Sequence, residues 1–82
     1  MITLEEIKDY VIECISKLMD LPIYDICEDS LLHDNLKMCD LDIVEMVVEI
    51  ENHFDITLPD KECSNFRTVN DIIKTTNKIL EN

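Results

Sequence analysis

The sequence predicts an all-α fold, a four-helix bundle of three main helices and one short one, with a long loop after the first helix. Three observations predict it. Apolar residues recur at three- and four-residue spacing in three separate segments, strand-like alternation is absent, and helix-opening patterns stand where two of the segments begin. The 82 residues suffice for a single domain over 1–82 with one core, and leave no room for an active site enclosed between layers.

Thr3 followed by Glu6 is a capping-box pattern, and Leu4, Ile7, Val11, Ile15 and Leu18 then form one apolar face of a first helix ending near Asp20. The stretch LPIYDICEDSLLHDNLKMC follows, opened by Pro22. It reads as a long ordered loop with Ile23, Ile26, Leu31, Leu32 and Leu36 as apolar anchors, and long ordered loops in small domains are often functional. From Asp40 the helical period returns: Ile43, Val47, Ile50 and Phe54, supported by Met46, predict a buried stripe on a second helix ending near His53. Pro59 disfavours helix at Leu58. KECSNFR then has room for one or two turns, with Cys63 and Phe66 turned inward. Thr68 with Asp71 can cap a last helix whose apolar positions are Val69, Ile72, Ile73 and Leu80. Tyr10 and Tyr24 are expected in the core or at its rim.

Hydrophobic residues make up 46% of the chain and charged residues 32%, which separates it from disordered acidic tails. Charged residues interrupt the first apolar positions and no apolar run approaches the roughly 18 residues of a membrane span, so a cytoplasmic protein without membrane insertion is expected. The four cysteines include no C-x-x-C pair and no histidine at ligand spacing, which predicts free thiols and neither zinc nor a disulfide framework. His33 and His53 are far apart, and the acidic residues of the second helix suit loosely held divalent cations better than a structured metal site. The net charge of -12 repels nucleic acid and anionic membrane and attracts basic protein surfaces. That charge is concentrated centrally: from Glu28 to Asp60 there are ten Asp and Glu against the single basic residue Lys37. The complete absence of glycine excludes a P-loop and a dinucleotide-binding fingerprint. No pairing of nucleophile and base suggests an enzyme.

If Ile43, Val47, Ile50 and Phe54 face inward, Leu41, Val44 and Val48 form a second apolar row framed by Asp42, Glu45, Glu49 and Glu51. Such a row is either a docking surface, with affinity from the apolar residues and steering from the charges, or ordinary packing in a core that wraps more of the helix.

The run Asn35-Leu36-Lys37-Met38-Cys39-Asp40-Leu41-Asp42-Ile43-Val44-Glu45, then Phe54-Asp55-Ile56-Thr57-Leu58-Pro59-Asp60, then Thr68-Val69, resembles the acyl carrier proteins. Their pattern is Asp-Leu-Gly-x-Asp-Ser-Leu-Asp-x-Val-Glu, Phe-Asp-Ile-x-Ile-Pro-Asp and Thr-Val, and the correspondence needs no gap from Asn35 to Val69. The resemblance implies a four-helix carrier fold and a protein that is not an enzyme. It further implies 4'-phosphopantetheine on a serine at the start of the second helix, and acyl-processing partners in fatty acid, polyketide or other lipid synthesis, or complexes in which carrier proteins are structural subunits. In this register the serine is Asp40. A serine hydroxyl can become a phosphodiester oxygen; a carboxylate would give at best a labile acyl phosphate and repels the incoming phosphate. No prosthetic group is therefore expected on this chain.

The resemblance implies instead a monomeric binding module that docks to basic surfaces through Leu41, Asp42, Val44, Glu45, Val48 and Glu49. The alternative is a working carrier that uses another residue. Glu28-Asp29-Ser30-Leu31 offers Ser30, but sliding the register there misplaces Leu41 to Glu45, Pro59-Asp60 and Thr68-Val69. Cys39 could hold an acyl group through a thiol activated by the helix N-terminus, although Asp40, Asp42 and Glu45 favour the protonated thiol and a buried or inert cysteine is the simpler reading. An Asp40 introduced to block attachment would leave the rest of the motif intact. Here Lys37 stands for the family's glycine and Cys39 for its aspartate, which favours natural loss. Aspartate is also a good N-cap, so Asp40 has a structural use in opening the helix.

Overall fold

A computed structural model describes residues 2–81. Helix α1, Leu4–Met19, opens on the expected capping box: the Glu6 N–H donates to Thr3 Oγ1 (3.2 Å) and the Thr3 N–H to Glu6 Oε1 (3.4 Å). Ile7, Val11, Ile12 and Ile15 are buried because α1 meets neighbours on two sides, and a helix between two neighbours encloses a wider arc than one stripe. Leu18 is half-buried, and Leu4 is exposed: Ile7 is the first residue of that face to be enclosed. The helix stops at Asp20, which takes the left-handed conformation (φ 55°) that a glycine would supply elsewhere.

The following loop contains a short 3-10 turn, Ile23–Asp25. Ile26, Leu32, Leu36 and Met38 anchor the loop in the core. Ile23 and Tyr24 lie outside, contrary to expectation, because Ile26 supplies the turn's anchor. Leu31 is also exposed: it forms an isolated bridge with Thr68, and in extended backbone adjacent side chains take opposite sides, so Leu32 points inward and Leu31 outward. Three backbone bonds tie the loop to the segment that opens the last helix: Leu32 N–H to Arg67 O (2.9 Å), Val69 N–H to Ser30 O (3.2 Å) and Asn70 N–H to Glu28 O (2.9 Å).

Helix α2, Asp40–Phe54, buries Met46 and Ile50 fully, with Ile43, Val47 and Phe54 half-buried beside them. The centre of the stripe is therefore Met46, which the sequence placed in support. α2 ends on Asp55, again left-handed (φ 55°). The Glu51 carboxylate then accepts the Leu58 N–H (2.7 Å), fixing the extended chain that carries Leu58 into the core. Pro59 precedes α3, a single turn at Asp60–Cys63, after which Phe66 is buried. Helix α4, Val69–Glu81, begins on a reciprocal pair: the Asp71 N–H donates to Thr68 Oγ1 (3.2 Å) and the Thr68 N–H to Asp71 Oδ2 (3.0 Å). α4 brings Val69, Ile72, Ile73 and Thr76 against α1 and the loop. Among the described residues there is no strand beyond the isolated bridge.

Candidate functional site

The site begins where the long loop enters α2. Lys37 has φ 59°, the left-handed region that glycine occupies without a Cβ clash, and its N–H donates to His33 O (3.1 Å). The next two residues complete the turn, Met38 buried and Cys39 exposed. Cys39, not Asp40, is the N-cap. The chain is still extended at Cys39 (φ -91°, ψ 174°), so Asp40 falls one position too late to cap. The cap is closed by Asp42, whose carboxylate accepts both the Cys39 N–H (3.0 Å) and the Cys39 thiol (3.3 Å). Of the two alternatives the sequence offered, a buried or an inert cysteine, burial does not hold: Cys39 is exposed.

Asp40 is the first helical residue, its side chain 99% exposed, with His33 Nε2 at 3.9 Å from its Oδ1. Negative charge here is favoured by the helix dipole without any hydrogen bond to the helix end. Ser30 lies elsewhere. Its Oγ accepts the Cys27 N–H (2.9 Å) and its carbonyl accepts the N–H of Val69, so it belongs to the loop's junction with α4.

Beyond Asp40, the row anticipated from sequence is on the outside of α2: Leu41 is 67% exposed, Val44 56% and Val48 46%. Glu45 and Glu49 are exposed beside it, whereas Asp42 is half-buried and committed to the cap. Val44 is a ridge between two grooves. On the α3 side, Asp40, Ile43, Val47 and Phe66 line a depression of about 240 Å³. On the α1 side, Tyr10, Cys14 and Leu18 face Val44 and Val48 across a larger groove of about 480 Å³.

The sequence reading missed the α1 wall. Its signal was the four-residue spacing of Tyr10, Cys14 and Leu18, one face of a helix adjoining the buried Val11 and Ile15. Tyr10 closes one end of the groove: its ring stacks on His53 at 3.8 Å between centroids, and its hydroxyl donates to Glu49 O (3.3 Å). Partial burial raises the pKa of the Tyr10 hydroxyl above its ordinary value, with Cys14, Glu49 and Glu13 adding to the effect. Burial likewise pushes the Cys14 thiol up, Glu49 adds to this, and Lys17 opposes it. Cys63 is also raised, by burial first and then by Glu51 and Asp60. All four cysteines are free, and among the described residues no cluster of three or more His, Cys, Asp or Glu could hold a metal ion. No described helix is long and apolar enough to cross a membrane.

Four helices pack around one core, with a loop anchored in that core leading to an exposed helix start and an apolar ridge behind it. The model of the family described as "Phosphopantetheine attachment site" matches residues 9–75. An acyl carrier protein of Rickettsia prowazekii is 35% identical over 74 residues, 90% of this chain and 86% of the relative. An acyl carrier protein homolog of Mycoplasmopsis pulmonis is 42% identical over 67 residues, 82% and 86% of the two chains. A solved structure from Mycobacterium tuberculosis, described as a candidate acyl carrier protein, superposes with a TM-score of 0.83 at 21% identity, covering 88% of this chain and 96% of that one. The chain belongs to the acyl carrier protein family. Members of that family are carriers rather than enzymes, and 4'-phosphopantetheine is the family's prosthetic group.

That group is held through a phosphodiester and requires a hydroxyl oxygen. At the start of α2 this chain presents the Asp40 carboxylate and the Cys39 thiol. The residues present there do not fit it.

Proposed function

We propose that this protein is a carrier-family module that has lost prosthetic-group attachment at Asp40 and acts by docking. Its partners are acyl-processing enzymes of fatty acid, polyketide or other lipid synthesis in the cytoplasm, which it meets as a monomer. Leu41, Val44 and Val48 supply apolar contact; Asp42, Glu45 and Glu49 supply the charge that selects a basic surface.

The observation that carries the reading is the exposure of three large apolar residues on the same helix whose other face is the core. The exposed apolar area adds nothing to the core, and grouped on one helix beside carboxylates it provides an anchor with a polar rim, as protein interfaces require. The unbalanced charge of the chain supports a basic partner, because an acidic or neutral one gains nothing from the field.

Two measurements test it. Incubated with coenzyme A and a phosphopantetheinyl transferase, the wild-type protein should keep its mass. A gain mapping to Cys39 or Ser30 would make it a working carrier and overturn the loss. Against an acyl-processing enzyme with a basic face, Glu45→Lys with Glu49→Lys should weaken binding and flatten its salt dependence. Unchanged affinity would remove the docking face.

A further inference from the structure

The α1 side of the ridge is built differently from the α2 face alone, and it carries more. α1 and α2 run antiparallel: Tyr10 meets Glu49 and His53 near the start of α1, and Leu18 lines the same groove as Val44 and Glu45 near its end. The floor is apolar, lined by the half-buried Cys14 and Leu18 from one wall and by the exposed Val44 and Val48 from the other. Tyr10, Cys14 and Leu18 span eight residues, which at 1.5 Å per residue is about 12 Å, or two helical turns. One end is closed by the Tyr10–His53 stack.

Carboxylates stand on both walls. Glu45 and Glu49 follow each other by one turn on α2, and Glu13 faces them from α1. The one cation at the groove, Lys17, is already paired with Glu13 (3.1 Å), so the lining has a formal charge of -2.

We propose that this groove is the seat of one amphipathic helix of a partner protein, with apolar side chains at i, i+4 and i+7 inserted between α1 and α2 and Lys or Arg on both flanks. The inference deepens the docking reading, since it rests on the same α2 residues and adds α1 as a second wall. Length selects a helix. Anchors at i and i+7 lie about 10.5 Å apart on a helix, matching the two-turn floor, whereas a flat surface would engage Val44 and leave the floor empty. Charge selects the flanks. An anionic or neutral helix would bring no cation to a lining of formal charge -2, and a second copy of this chain would bring a net charge of -12 against an equal one.

The probe is a synthetic helical peptide with leucine at i, i+4 and i+7 flanked by lysines, compared with its scrambled sequence and with the same leucines flanked by glutamates. Binding is read by fluorescence anisotropy, and occupancy by the alkylation rate of Cys14 at mildly alkaline pH, mapped by mass spectrometry apart from exposed Cys27 and Cys39. The lysine-flanked peptide should bind at least about tenfold more tightly than either control and slow Cys14 alkylation. Glu13→Lys should weaken it roughly fivefold or more, while Glu62→Lys, the same change of net charge on exposed α3, should move it less than about twofold.

Equal weakening by the two variants, equal binding of the scrambled peptide, or unprotected Cys14 would overturn the proposal. So would a protein dimer whose formation alone protects Cys14, which would give the groove to a second copy. Loss of binding in Glu45→Lys without loss in Glu13→Lys would remove the α1 wall and leave the α2 docking face standing. Loss in neither would remove both.

Discussion

Substituting Asp40→Ser asks whether one side chain separates this protein from a competent carrier. The structure sets the cost of the change. The cap of α2 is made by Cys39 and Asp42, so it survives the substitution. What is lost is one carboxylate near a helix N-terminus, worth about 0.3–1 kcal/mol at an exposed position, and an exposed contact with His33 of about 0–1 kcal/mol. A domain of 82 residues has a stability on the order of 4–12 kcal/mol at about 0.05–0.15 kcal/mol per residue. The variant should therefore stay folded, with a helical circular dichroism spectrum indistinguishable from wild type, and any gain of function is chemical. Incubation with coenzyme A and a phosphopantetheinyl transferase, followed by intact-mass and peptide mapping, should place one phosphopantetheine on position 40 of the variant. A folded variant left unmodified beside a modified carrier control would refute the reasoning, because Asp40 would then not be what prevents attachment.

Other substitutions test the physical account of the fold. Lys37→Gly removes a Cβ from left-handed backbone (φ 59°) and should raise stability by about 0.5–1 kcal/mol in urea unfolding; a loss would mean that the lysine side chain holds the turn. Thr76 is fully buried with its hydroxyl unpaired, so Thr76→Val should stabilise by about 1–2 kcal/mol, a rise in Tm of several degrees by calorimetry. At Asp71 burial favours the neutral acid, but the N–H groups of Thr68 and Arg67 and the Thr68 hydroxyl outweigh it, holding the carboxyl below its ordinary 3.8. A depressed folded-state value adds stability that is present above pH 3.8 and lost as pH falls through the folded value. Asp71→Asn should thus lower stability at pH 7 and show a smaller further loss than wild type on acidification below pH 4, read by urea unfolding at the two pH values.

The helices were legible because their signals are local. Thr3 with Glu6 and Thr68 with Asp71 are pairs three residues apart that satisfy the same orphan N–H groups wherever they occur, and both form as read. The start of α2 at Asp40 was legible too, but its cap was read one residue late, on Asp40 in place of Cys39. Aspartate is the better cap by preference, but a cap is defined by backbone dihedrals, and those are set by the loop anchors Leu36 and Met38 upstream of it. Which loop side chains are buried could not be read from hydrophobicity: Leu31 and Leu32 are the same residue type, and only the bridge to Thr68 decides which points inward. The α1 wall of the groove was hidden because it needs a tertiary pairing. Tyr10, Cys14 and Leu18 look like the edge of a core stripe until α2 is laid beside them with Val44 and Val48 on the open side.

The absence of glycine connects these observations. Among the described residues three take left-handed backbone, Asp20, Lys37 and Asp55. Asp20 and Asp55 end α1 and α2, and aspartate tolerates that region better than most residues, so these two stops cost little. Lys37 has no such excuse, and it lies three residues before Asp40 in the turn that presents the helix start. The turn therefore holds its shape at an energetic cost. A glycine at that position would relieve the strain without changing the path of the loop. The exposed ridge behind that turn and the carboxylates around the groove are the features that the proposed recognition by shape and charge would use.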